Sequence, residues 1–125
     1  MYNHMVVRVR DHVRDPALAD RLFHALSDAT RRDIVTRTMQ HDHSVSALAR
    51  HYPMSFAAVQ KHVAVLDRAG LVTKRREGRE RLVRGNVDAV RRAHRLLDQL
   101  EAVWRERLDR FEDVLAEGPD QGAAR

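Results

Sequence analysis

Apolar residues recur at helical spacing through most of the chain, and the breaks between the runs carry turn chemistry. Asp15-Pro16 offers an aspartate cap with proline in the first turn. Leu18, Leu22 and Leu26 follow at i, i+4 and i+8, with Phe23 beside them, and form one apolar face. Asp28 is placed to cap a second helix whose buried side is Ile34, Val35 and Met39. His41 to Ser44 reads as a polar loop and Val45 as a brief strand position. Ser46 would cap a short helix, ALARHY, burying Leu48 and Ala49. Tyr52-Pro53 ends that helix, because the residue before a proline is pushed out of the helical region.

Ser55 then caps a fourth helix with Val59, Val63, Leu66 and Ala69 on one stripe, and Gly70 is the natural stop. Val72-Thr73 and Leu82-Val83 flank a basic turn with a central glycine, as a two-stranded hairpin requires. From Val87 to Leu115 there is neither glycine nor proline. Val90, Ala93, Leu97, Leu100, Trp104, Phe111 and Val114 fall on a heptad-like seam, widened by Leu96, Val103, Leu108 and Leu115. Such a helix would be about 43 Å long. The expected fold is mainly α with a small β-hairpin wing, a winged helix-turn-helix with a long C-terminal dimerisation helix. Expected boundaries are a mobile arm at 1–14, a DNA-binding domain at 15–86, the dimerisation helix at 87–116 and a disordered tail at 117–125.

With 125 residues there is room for one core and none for a separate catalytic domain. The absence of cysteine excludes disulfides and thiolate chemistry. The N-terminal stretch is broken by arginines and lacks the apolar core of a secretion signal, and no run is long enough for a membrane helix. A cytoplasmic protein without membrane contact is expected. The charge changes the picture through its placement. Residues 50–84 carry a net +6, against +1 before them and −2 after. A central basic block is what a phosphate-neutralising surface needs, although a solvated face explains it equally well by itself.

Position decides between those readings. A short helix and a tight turn leading into a Ser-capped helix is helix-turn-helix grammar. The second helix can enter a major groove, and its buried stripe leaves Ser55, Phe56, Ala57, Gln60 and Lys61 outward, with His62 toward the DNA side or the core. Gln60 can pair bidentately with adenine, Lys61 can reach guanine or phosphate, and Phe56 and Ala57 suit thymine methyls. In the hairpin, Lys74, Arg75, Arg76, Arg79, Arg81 and Arg84 crowd eleven positions. The first four of these are the expected phosphate or minor-groove contacts. Edge strands also carry charge simply to resist aggregation, but two adjacent outward-facing elements favour DNA.

These stretches resemble the ArsR family of bacterial winged-helix regulators. LFHALSDATRRDIV resembles its "ALADPTRRxIL" motif, with Ala29 in place of the proline. SVSALARHYPMSFAAVQKHVAVLDRAGLV resembles "VxELAxxxxxSxxAVSxHLxVLxxAGLV", with Gln60 where a serine is usual, and KRREGRERLV is similar to the basic wing. WRERLDRFEDVL looks like the branch whose long last helix carries a tryptophan. The resemblance implies a homodimer that sits on a double-stranded operator, an inverted repeat, and represses transcription, often of its own gene. Leu18, Leu22, Leu97, Leu100, Trp104, Leu108 and Phe111 are the expected dimer contacts.

The family's cysteine metal box is absent. His94 with Asp98, and His41 with His43, are incomplete ligand sets for tetrahedral zinc, so neither a metal nor any other cofactor is expected. A His/Asp metal-sensing repressor and a winged-helix protein-interaction module are the alternatives. No nucleophile, P-loop or zinc-protease spacing supports an enzyme. An outward basic wing beside Gln60 and Lys61 weighs against a pure adaptor.

Overall fold

The computed structural model describes residues 16–117. The expected arm at 1–14, the Asp15 cap and residues 118–125 of the expected tail lie outside the described residues. In chain order the elements are α1 (Pro16–Leu26), α2 (Ala29–Gln40), β1 (His43–Ser44), α3 (Val45–Ala49), α4 (Phe56–Arg68), β2 (Val72–Glu77), β3 (Glu80–Gly85) and α5 (Val87–Glu117). This is the expected winged helix-turn-helix, mainly α with a small sheet. None of these helices is long and apolar enough to cross a membrane.

The caps explain most helix starts. Asp28 accepts from the Arg31 backbone N–H at 3.0 Å, and Ser55 Oγ from Ala58 N at 3.1 Å. Gly70 closes α4 at φ +77, which a side chain would resist. Asn86, which the sequence reading passed over, starts α5. Its Oδ1 accepts from Asp88 N at 3.1 Å, while its Nδ2 donates to Gly70 O at 2.9 Å.

The third helix departs from expectation. It begins one residue after Ser44, whose Oγ accepts from Ala47 N at 3.0 Å, so Ser44 and not Ser46 is the cap. The brief strand is His43–Ser44 rather than Val45, so the second half of the His41–Ser44 stretch expected to be a loop is the third strand of the sheet, while His41 and Asp42 remain irregular. The sheet order is β1-β3-β2, all antiparallel, with His43 opposite Val83 and Ser44 opposite Leu82. Glu77 faces Glu80 across the hairpin end, and Gly78 takes φ +63 at the first turn position. A two-residue hairpin needs that left-handed backbone there.

The core is aliphatic. Ala25 of α1, Ile34 of α2, Leu48 of α3, Val59, Val63 and Leu66 of α4 with Ala69 at its C-cap, Leu71 just before β2, and Val83 of β3 are each at most 1% exposed. Removing a side chain such as Leu66 would cost about 2–5 kcal/mol. Met39, expected inside, is 38% exposed, and Thr38 takes the buried place. Thr38 can do so because its hydroxyl donates to the helix carbonyls of Ile34 at 2.7 Å and Val35 at 3.2 Å, leaving no unpaired polar group. Met39 instead lies over Gly85, where an added Cβ would stand 2.8 Å from Met39 Cγ.

The chain divides into two compact units between Ala93 and His94, inside α5 and not at its start. Ala89 and Ala93 are buried in the first unit, so the opening turns of α5 belong with the winged helix. The second unit is helix with an apolar stripe in solvent: Leu100 is 67% exposed, Trp104 54% and Phe111 60%. Leu22, expected at a dimer contact, is 2% exposed and enclosed in the core, so it has no area left to offer a partner.

Candidate nucleic-acid interface

The turn between α3 and α4 is held from below by one side-chain cluster. Tyr52 donates its hydroxyl to Asp33 Oδ2 at 2.7 Å, and Arg37 Nε donates to the same oxygen at 2.7 Å. These two bonds, Tyr52's first, hold the Asp33 carboxyl below its ordinary range. Burial, together with the bond to Asp33, pushes the Tyr52 phenol up to about 12. The two helices of the motif are thereby fixed to α2 through the residue that separates them.

On α4, Ser55, Phe56, Ala57, Gln60 and Lys61 are exposed, as the stripe predicts. Ser55 is also the cap, so its oxygen is already engaged with the helix. His62 differs: it is half-buried, and its Nδ1 lies 3.2 Å from Arg31 Nη1 of α2. It therefore leaves the outward set.

The wing cations fall into two groups. Arg84 places Nε 2.8 Å and Nη2 3.0 Å from the two oxygens of Asp42, a bidentate pair. Arg75 reaches Asp42 at 3.4 Å and Glu77 at 3.0 Å, and Lys74 lies 3.8 Å from Asp67. The Arg84 hydrogen bond holds the Asp42 carboxyl below its ordinary value, and the carboxylate in turn raises Arg84. Arg76, Arg79 and Arg81 have no ion-pair partner among the described residues. Of the expected contacts, then, Lys74 and Arg75 are partly neutralised by carboxylates of α4, the α2–β1 loop and β2, whereas Arg76 and Arg79 have no such partner among the described residues.

A cleft of about 190 Å³ joins these elements, lined by Ser44, Val45, Ser46, Phe56, Gln60, Arg79, Glu80 and Arg81. It brings Phe56 and Gln60 of the helix together with Arg79 of the wing tip. It also adds Ser46 and Arg81, which sequence reasoning left out of the site; alternation along β3 was the available signal for Arg81. A second depression of about 210 Å³ is lined only by Lys74, Arg75, Arg76 and Arg81. Four cationic side chains around one concavity suit a polyanion.

The weak metal candidates do not assemble. His41 and His43 have ring centroids 6.4 Å apart, and His43 Nδ1 is already 2.9 Å from the His41 carbonyl. His94 and Asp98 are exposed on α5. Among the described residues no three His, Cys, Asp or Glu side chains are grouped to hold a metal ion.

The chain matches no protein-family model. The HTH-type transcriptional regulator Rv2034 of Mycobacterium tuberculosis is 44% identical over 63 residues, which are 50% of this chain and 59% of that protein. The chain thus spans less than two thirds of that curated relative. Among solved structures, the ArsR-like transcriptional regulator from Rhodococcus sp. RHA1 is 35% identical, with a TM-score of 0.71 over 78% of this chain and 92% of that one. The homodimeric winged helix-turn-helix DNA-binding domain Mb0332 of Mycobacterium bovis is 26% identical, with a TM-score of 0.56 over 72% and 81%. The motifs, the strand order and these similarities agree: the chain belongs to the ArsR family of winged helix-turn-helix transcriptional regulators.

Proposed function

We propose that this protein is a cytoplasmic, sequence-specific repressor that binds a double-stranded operator as a homodimer. The observation that carries this reading is the shared cleft, where Phe56 and Gln60 of α4 meet Arg79 and Arg81 of the wing, which have no ion-pair partner among the described residues. In it, α4 enters the major groove, Gln60 pairs with a base edge, and Phe56 and Ala57 lie against thymine methyls. Ser55 and Lys61 contact the flanking backbone, and the wing holds phosphates with Arg76, Arg79 and Arg81. Arg75 and Lys74 lend charge more weakly, being shared with carboxylates.

One wing and one α4 read only a half-site, and two half-sites on one face of DNA lie about 34 Å apart. A second copy is therefore needed, and the operator is an inverted repeat. Leu97, Leu100, Trp104, Leu108 and Phe111 on α5 are the contact surface, each more than 40% exposed. Leu18 of α1 is a further proposed dimer contact, in the first unit. The relative from Mycobacterium bovis is itself homodimeric, which favours the same assembly here. The working division is a DNA-binding domain ending within the first turns of α5 and a dimerisation segment beyond. Relatives of this kind are regulators and not enzymes, and no catalytic role is assigned.

The test is Gln60→Ala on a selected operator and on random duplex. Loss of one bidentate base contact should narrow the gap between the two DNAs by about 1–3 kcal/mol. Equal losses on both DNAs would remove Gln60 as a reader.

A further inference from the structure

We propose that Arg31 is a positioning residue for the recognition helix, holding α4 through the His62 ring in a contact that protonation of that ring breaks. The inference rests on the reading of α4 as the DNA-reading helix. Arg31 is 9% exposed in α2. Its Nε donates to Ala25 O at 2.8 Å and its Nη2 to His24 O at 3.0 Å, which ties the guanidinium to the end of α1. Its Nη1 lies 3.2 Å from His62 Nδ1. One buried guanidinium thus joins α1, α2 and α4.

The chemistry of that last contact has a single solution. A guanidinium offers only hydrogens, so His62 Nδ1 must be the acceptor. The ring is then neutral, with its proton on Nε2. A protonated ring would set N–H against N–H and charge against charge.

The charged groups placed against His62 are Arg31 itself and Asp28, the α2 cap. On its own helix the neighbouring cation is Lys61, which is exposed. Asp28 accepts from Arg31 N, and its carboxyl is held low first by that bond and also by the Arg31 charge. Protonation therefore trades the guanidinium for the carboxylate and draws the ring toward the start of α2. His62 shares a helical turn with Gln60 and Lys61, so the base-reading face moves with it. Acid then weakens operator binding, against the general trend in which newly charged histidines favour DNA.

The experiment compares wild type, His62→Gln and Arg31→Lys at fixed salt, at about pH 8 and about pH 5.5, on either side of the ordinary histidine range. Nitrogen NMR of the histidine rings is recorded on the free protein. We expect His62 Nδ1 to be bare at the higher pH, and the Gln60 and Lys61 amides to shift as that ring titrates. Wild type should lose about tenfold more operator affinity on acidification than His62→Gln, which keeps a neutral acceptor throughout. Arg31→Lys, whose point charge cannot serve three acceptors, should fold and lose the same acid step. A ring protonated at Nδ1, or an acid step as large in His62→Gln as in wild type, overturns the inference. Failure to bind DNA at any pH would instead refute the reading of α4, and the ring spectrum would still decide the contact.

Discussion

Removing wing arginines one at a time should separate those that touch phosphate from those spent inside the protein. Arg76, Arg79 and Arg81 have no carboxylate partner among the described residues, whereas Arg84 is held by both oxygens of Asp42 at 2.8 and 3.0 Å. Each phosphate neutralised on B-DNA contributes about −0.9 to the slope of log affinity against log salt. A homodimer carries each arginine twice, so losing one free arginine should flatten the slope by about 1.8. Over a salt rise from about 50 to 200 mM, the variant should then lose about twelvefold less affinity than wild type does. Arg84→Ala should leave the slope nearly unchanged, because its charge is already matched. Fluorescence anisotropy on a labelled operator and a random duplex reads these slopes directly, and Arg76→Ala, Arg79→Ala and Arg81→Ala should weaken both DNAs alike. A slope change in Arg84→Ala as large as in Arg76→Ala would refute the division of the wing into paired and free cations.

Leu100→Glu combined with Trp104→Glu should give monomers by sedimentation, with the winged helix folded and little operator affinity left, since the altered residues lie outside the aliphatic core. Tyr52→Phe removes the hydroxyl that donates to Asp33 and should cost about 1 kcal/mol or less in urea unfolding near neutral pH, the carboxylate being partly exposed. Asp33 has a lowered folded pKa, so its contribution is complete above the ordinary aspartate value and is lost as pH falls through the folded one. Wild-type stability should accordingly drop below about pH 4, and the drop should be shallower in Tyr52→Phe.

Much of this architecture is legible in the sequence because its signals are local. The α4 stripe, the Ser55 and Asp28 caps, Gly70 and the basic hairpin each depend on residues within a few positions of one another. What stays hidden is decided at long range. Ser44 and Ser46 are equally good caps by composition, and pairing of His43 and Ser44 with β3 selects the first. Arg31 carries no local signal of its burial, which comes from contacts with α1 and α4. Asp42 neutralises arginines at positions 75 and 84, and no sequence pattern announces those pairs. Leu22 has the spacing of an interface residue but the burial of a core one.

The central claim is that two copies present two recognition helices to one face of a duplex. Hydroxyl-radical footprinting of the wild-type protein on a duplex selected from a random pool tests it most directly. The account predicts two symmetric protected half-sites of inverted sequence, centred about 10 base pairs apart or a multiple of that. Protection of a single half-site, or uniform protection with no selected sequence, would contradict it.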